Sequence, residues 1–309
     1  MSSLTTSPPT TDLAPAYAWC RDVARRRARN FYYGLKLTPE PRRSAVYAIY
    51  AWMRTGDDLV DDAGEPAEKR ARLEGFARAT AKALDGHAGA DAAPVAGAPQ
   101  MWAAFAGTVA RFGVARRDVA AMLAGLGEDI DHNGYATIEE LERYCGRVAS
   151  SVGRVCVTIW GVREGVSMEE AFALADRRGV AFQLTNIMRD FAEDFDEGRV
   201  YLPQESFYRA GVTPEALRRW ENPAACALLV SDLAAVARGA FDGSAALEEM
   251  VDPACAPTLW AMTRIYSGLL RKIEDRPARV VGETRIRLQS IHKAILAMRA
   301  VAKRRRGRW

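Results

Sequence analysis

Val46-Tyr-Ala-Ile-Tyr50-Ala-Trp-Met-Arg54-Thr-Gly-Asp57-Asp-Leu-Val-Asp61-Asp62 is the stretch on which the fold class turns. Its apolar residues recur at Val46, Ile49, Tyr50 and Met53, the period of a helix with one buried face. Extending that stripe in steps of three and four lands on Asp57, Val60 and Asp61, so two carboxylates continue a face that ought to be buried. Asp57 with Asp61, and Asp58 with Asp62, stand four apart as like-charge pairs, which destabilise a helix. They also lie in its last turn, before Gly64 and Pro66, where the helix dipole already presents negative charge and each acid costs about 0.3–1 kcal/mol. A solvated face gives no reason for that placement. A hard cation does, because Mg2+ takes oxygen ligands and completes its shell with water and phosphate oxygens.

The same logic recurs in Gln183-Leu-Thr-Asn186-Ile-Met-Arg189-Asp190-Phe-Ala-Glu-Asp194. One helix face carries Gly179, Gln183, Asn186, Asp190 and Asp194; another carries Leu174, Ala181, Leu184, Met188 and Phe195. The first reads as the polar wall of a cavity and the second as core. The acids again crowd a helix end, before Gly198, with Arg189 and Arg199 close by. One cluster among arginines would read as surface ion pairs, which contribute little. Two alike point to a diphosphate held between Mg2+ (or Mn2+) ions and guanidinium groups.

Outward from these clusters the chain is helical throughout. Capping residues stand before proline at Thr38, Thr213, Asn222 and Asp252, and capping boxes open at Thr137 and Ser167. The periodicity predicts helices over residues 16–29, 39–62, 66–84, 99–112, 116–128, 138–161, 168–195, 223–243, 255–276 and 285–303, with no strand alternation. Only residues 85–99 read as a slack connection, too short for a domain linker. A chain of 309 residues with 49% hydrophobic and 27% charged residues is globular in composition, so one helical body over residues 16–303 is expected.

Residues 1–15 are rich in Ser, Thr and Pro, lack the pattern of a signal peptide and read as a disordered arm. The five cysteines are scattered, which suits reduced thiols and a cytoplasmic location. No uninterrupted apolar run reaches the roughly 18 residues of a spanning helix, so a soluble or peripheral protein is expected. Net charge is only +4, yet the tail over residues 304–309, with Lys303 before it, is basic and ends in Trp309. Such a tail could touch an anionic membrane surface. Nucleic acid is not indicated, since no basic stripe with interleaved aromatics occurs, and nothing speaks to oligomeric state.

One motif competes. Asp129-Ile-Asp131-His-Asn133-Gly134-Tyr-Ala-Thr137-Ile-Glu-Glu140 satisfies the calcium-loop pattern, with Glu at position twelve. Position eight is Ala, no second loop pairs with it, and Thr137 with Glu140 is already a capping box. A calcium-binding helical protein is therefore the rival reading from another class.

Taken together, Phe31-Tyr-Tyr-Gly34, the run from Tyr47 to Asp61, Tyr144-Cys-Gly-Arg-Val-Ala149-Ser-Ser-Val-Gly153, the Gln183–Asp194 run and Gly198-Arg199-Val-Tyr201-Leu-Pro203 resemble the squalene and phytoene synthase family. The match is ordered over residues 31–203 and extends more weakly through Tyr266 and residues 285–287. It implies an all-α, single-domain isoprenoid-synthase bundle around a central cavity. By resemblance, Asp57, Asp61, Asn186, Asp190 and Asp194 would ligate Mg2+, and Arg54, Arg189 and Arg199 would neutralise diphosphate. Tyr50 and Tyr201 would line the reaction site, and Tyr144 would handle a proton. Gln183, Phe31 and Tyr266 would contact substrate, with Leu35 at a position that sets pocket depth.

The implied reaction is head-to-head condensation of two prenyl diphosphates. Farnesyl diphosphate is favoured, giving presqualene diphosphate and onward squalene, with NADPH, or dehydrosqualene. The alternative is phytoene from geranylgeranyl diphosphate. Two departures stand out: Ser150-Ser151 replaces the family's usual alanine-glycine, and Gly56 sits beside the first acid cluster. Both would be expected to add polarity or slack near the site.

Overall fold

The computed structural model describes residues 12–86 and 96–305. Residues 1–11, 87–95 and 306–309 lie outside the described residues, and with them most of the N-terminal arm, His87 and the end of the basic tail.

In chain order the α-helices are α1 (Ala14–Arg27), α2 (Arg29–Leu35), α3 (Arg42–Asp61), α4 (Pro66–Leu84), α5 (Pro99–Phe112), α6 (Arg116–Ile130), α7 (Ile138–Cys145) and α8 (Ser151–Trp160). There follow α9 (Met168–Asp196), α10 (Gln204–Ala210), α11 (Pro214–Arg219), α12 (Pro223–Asp242), α13 (Leu247–Met250), α14 (Ala256–Asp275) and α15 (Ser290–Arg305). Among the described residues the extended pairing is a single bridge, Val162 with Val251.

Capping side chains set four of the starts among the described residues. Thr137, Ser167, Thr213 and Asn222 each accept from a backbone N–H three residues on. Thr38 does not cap: its hydroxyl is buried against that of Thr258 at 2.9 Å, and α3 begins only at Arg42. Asp252 accepts from Ala254 at 2.8 Å, closing a turn before α14 rather than opening the helix. The expected helix over 138–161 is one rod in outline, but a five-residue π-turn, Gly146–Ser150, interrupts it between α7 and α8. Such turns free a carbonyl and tend to mark functional walls. Ser151 Oγ donates to the Arg147 carbonyl, and Ser150 Oγ donates to the Asp176 carbonyl at 2.7 Å. Both serines are buried and satisfied on the backbone, so they steady the π-turn instead of adding polarity to the cavity.

Among the described residues two large apolar clusters, with a small third of Val60, Leu73 and Leu126, hold the bundle. One gathers α1, α3, α5 and α8 around Trp52, which stacks on Phe105 with ring centroids 5.0 Å apart and on Phe76 at 5.5 Å. The other gathers α9, α12 and α14 around Leu184, Leu229 and Leu269. Gly56 serves packing and not slack, because a Cβ there would stand 2.7 Å from Leu126 Cδ1. At Gly179 a Cβ would lie 2.5 Å from Ser150 Cα and 2.6 Å from its N, so only glycine lets α9 approach the π-turn. Gly179→Ala is expected to destabilise the protein by about 1–3 kcal/mol, read as a lower urea midpoint, because backbone must move to admit the methyl. An unchanged midpoint would show that the approach is looser than it stands.

The window from Pro223 to Met250 is apolar enough by length and composition to cross a membrane, with mean hydropathy 1.6. One face of α12, through Leu229, Val230, Leu233 and Ala237, is nevertheless buried in the second cluster. On α15, Ile295, Met298 and Val301 are exposed.

Candidate active site

Between the two clusters lies a cavity of about 340 Å³. Its polar end holds Asp57 and Asp61 from α3, Asp129 from α6, Tyr144 from α7, and Asn186 and Gln183 from α9. The opposite end is closed by Trp160, Ala175, Leu247 and Leu259, each 3% exposed or less. Part of each stripe read from sequence therefore faces one space, while Asp190 and Asp194 lie outside the lining. Met53, Asp57, Val60 and Asp61 line it from α3, and Gly179, Gln183 and Asn186 from α9.

Burial makes the acids costly as they stand. Asp57 is pushed up to about 7, first by desolvation, while the neighbouring Arg54 pulls the other way and Asp61, Asp129 and Asp58 add repulsion. Two-fifths of its side-chain surface is accessible, and the residue lines the cavity. Asp58 is turned away, held by Arg54 and by Arg27 at 2.7 Å. Asp194 is raised to about 7, again mainly by burial and then by Asp190. Asp190 differs. Burial alone would raise it, but Arg189 and Arg285 each grip it with two hydrogen bonds of 2.5–2.8 Å and hold it below the usual carboxylate range.

The tyrosines are organised by a residue that sequence reasoning passed over. Tyr144 and Tyr201 donate to the same oxygen of Asp129, at 2.8 and 2.9 Å, and their rings stack 5.5 Å apart. Burial raises Asp129 to about 6, partly offset by these two hydrogen bonds and by Arg199. Burial likewise raises Tyr144 well above its ordinary value, Asp129 adding to it. In the sequence Asp129 stands out only as position one of a calcium loop. In the fold it points into the cavity, Asp131 pairs with Arg70, and Glu140 caps the Ala136 N–H at 2.7 Å, so the loop's carboxylates diverge. Millimolar Ca2+ is expected to leave the melting temperature unchanged, whereas Mg2+ with diphosphate raises it by several degrees. The reverse pattern would restore the calcium reading.

The remaining candidates fall in two layers. Arg199 bridges the clusters, 3.5 Å from Asp61, with its backbone N–H on the Asp194 carbonyl at 2.8 Å. Arg54 lies within the first acid cluster. Arg189 points inward beside Tyr266, which stacks on the cavity-lining Phe182 at 4.5 Å. Tyr50, partly buried and raised to about 12 mainly by burial, and Leu35, 3% exposed, stand behind the lining. The side chain of Phe31 is outside the described residues. Arg285 was missed as an individual contact, since 95 residues separate it from Asp190 and no local pattern links them.

The donors fit a hard divalent cation. They are all oxygens, Asn186 Oδ1 is buried without a hydrogen-bond partner, and Asp57 and Asp194 are short of positive charge. Among the described residues no three acids converge on one point, so substrate oxygens and water would have to complete the coordination shell.

Residues 24–292 match the family description "Squalene/phytoene synthase". The chain belongs to the squalene/phytoene synthase family. Among the family's curated members, the phytoene synthase of Mycobacterium tuberculosis is 33% identical over 299 residues, covering 94% of this chain and 92% of that one. The 15-cis-phytoene synthase of Synechocystis sp. is 32% identical, covering 86% and 79%. Among solved structures, a dehydrosqualene synthase in complex with ligand superposes with a TM-score of 0.80 at 24% identity, covering 96% of this chain and 98% of that one, and shows the fold. Squalene synthase HpnC from Alicyclobacillus acidocaldarius gives a TM-score of 0.74 at 25% identity, covering 87% and 96%. This family joins prenyl diphosphates head to head. Its members here carry names with different substrates and products.

Proposed function

We propose that the protein condenses two farnesyl diphosphates head to head, in a divalent-metal-dependent reaction, to presqualene diphosphate and onward to a C30 hydrocarbon. The observation that carries the reading is the cavity itself, lined by the carboxylates Asp57, Asp61 and Asp129 and by the buried apolar side chains Trp160, Ala175, Leu247 and Leu259. A divalent cation such as Mg2+, held there, would supply Lewis acidity for the departure of diphosphate. Asp57, Asp61, Asn186, Asp190 and Asp194 would hold it. Arg199 and Arg285, each at the edge of an acid cluster, are placed to take phosphate oxygens by charge-assisted hydrogen bonds.

When the C1–O bond breaks, the alkene of the second substrate attacks C1, and loss of a proton closes the cyclopropane. Tyr144 faces the cavity while donating to Asp129, so its oxygen can accept that proton as its own passes to the carboxylate. The apolar wall would shelter the cation from water.

The length of the lining along α9 supports farnesyl diphosphate as the substrate. From Asn186 to Ala175, α9 advances eleven residues, about 16 Å at 1.5 Å per residue. An extended isoprene unit, four carbon–carbon bonds of about 1.5 Å, reaches about 5 Å, so the lining along α9 spans about three units, which supports the shorter chain. A second reading, geranylgeranyl diphosphate to phytoene, is favoured by the names of the curated relatives. Mass spectrometry of products from each substrate with Mg2+, with and without NADPH, tests both. Presqualene diphosphate, squalene or dehydrosqualene supports the first reading and phytoene the second. No diphosphate release from either substrate would sink both. The exposed Ile295, Met298 and Val301, just before the basic tail, support peripheral contact with an anionic bilayer. Sedimentation with anionic but not neutral vesicles would bear that out, and no sedimentation with either would remove it.

A further inference from the structure

Arg178 is out of place in an apolar pocket. It lines the closed half of the cavity from α9 yet is only 3% exposed, among Gly179, Phe182, Leu247 and Leu259. Its guanidinium makes four hydrogen bonds to three neighbouring stretches of the chain. Nε donates to Ser244 Oγ at 2.9 Å and Nη2 to the Ser244 carbonyl at 2.7 Å, in the turn after α12. Nη1 donates to Glu248 on α13 at 2.9 Å and to the Thr263 hydroxyl on α14. The Phe241 ring lies 6.0 Å away.

We propose that Arg178, braced by Ser244, Glu248 and Thr263, is a specificity-determining wall of the cavity that excludes prenyl chains longer than three isoprene units. It stands eight residues back from Asn186, about 12 Å along α9, level with the third unit of a bound tail and before the lining ends at Ala175. A leucine at such a wall could change rotamer and admit a longer chain. The arginine cannot swing aside without leaving both its own charge and that of Glu248 unpaired in a low-dielectric interior, which is strongly unfavourable. The wall is stiff because it is polar. The inference rests on the prenyl-diphosphate reading for the identity of the ligand.

The test is binding of unreactive farnesyl and geranylgeranyl thiolodiphosphates with Mg2+, by calorimetry, to the full-length protein and two variants. In the double variant Arg178→Leu/Glu248→Leu both charges go together, an exchange that folds often tolerate. Arg178→Gln keeps hydrogen-bonding capacity on a shorter side chain. The wild type is expected to prefer the C15 analogue at least tenfold, and both variants to lose that preference by at least fivefold while still binding the C15 analogue. A brace with no part in selectivity would lower the melting temperature and weaken both analogues alike. A folded variant with the wild-type preference, or a wild type that prefers the C20 analogue, overturns the proposal. If the double variant does not fold, Arg178→Gln decides by the same ratio. Preference for C15 with no product from either true substrate would sink the condensation reading and leave the wall standing.

Discussion

Asp190→Asn is expected to lower diphosphate release from the preferred prenyl diphosphate by about 10³-fold or more, the scale on which lost electrostatic stabilisation of a leaving group is felt. Asparagine keeps the shape and part of the hydrogen bonding but removes the charge that both Arg189 and Arg285 grip. Two consequences then coincide. The second acid cluster loses its one carboxylate held firmly ionised, and Arg189, whose side chain is 10% exposed, is left without its closest counter-charge. The second effect should appear separately as a loss of stability of about 1–3 kcal/mol, because the guanidinium keeps neutral partners. Turnover within tenfold of wild type, in a variant whose circular dichroism is unchanged, would remove Asp190 from the metal and diphosphate machinery.

Asp129→Asn is expected to move activity and stability in opposite directions. The asparagine oxygen can still accept from Tyr144 and Tyr201, since both now donate to one oxygen, so the geometry survives while the proton acceptor is lost. Turnover should fall by about 10²–10⁴-fold, the usual contribution of positioned proton transfer. The stability effect follows from the carboxyl's being raised to about 6 by burial. Between pH 4 and pH 6 the native protein binds more protons at this site than the unfolded chain does. Stability at this site therefore falls as pH rises through that window, and above pH 6 the full penalty is present. Removing the charge should stabilise the protein at pH 8 by about 1–2 kcal/mol and make no difference at pH 4. Urea denaturation at the two pH values reads this directly. Destabilisation at pH 8 would show that the Tyr144 and Tyr201 hydrogen bonds need the ionised form more than burial opposes it.

Asp57, Asp61 and Asn186 were legible in the sequence because a helix turns tertiary placement into a local rule. Once the stripe through Val46, Ile49 and Met53 is known to be buried, the acids that continue it are buried as well. The caps at Thr137, Ser167, Thr213 and Asn222 were legible for a similar reason, since each hydrogen bond closes within three residues. Thr38 failed the same rule because a partner 220 residues away, Thr258, competed for its hydroxyl.

From the sequence alone came the all-helical class, the two acidic helix ends and, through resemblance, the family. Each of these rests on spacing within a segment. What only the tertiary structure decided is that Asp129 belongs to the tyrosines and not to a calcium loop, that Arg285 shares Asp190 with Arg189, that Ser150 and Ser151 serve a π-turn, and that Arg178 closes part of the cavity wall. The physical reason is common to all four. A polar side chain satisfies whichever buried partner the packing brings within about 3 Å, and that choice is made by helix contacts distant in sequence, which no local period encodes.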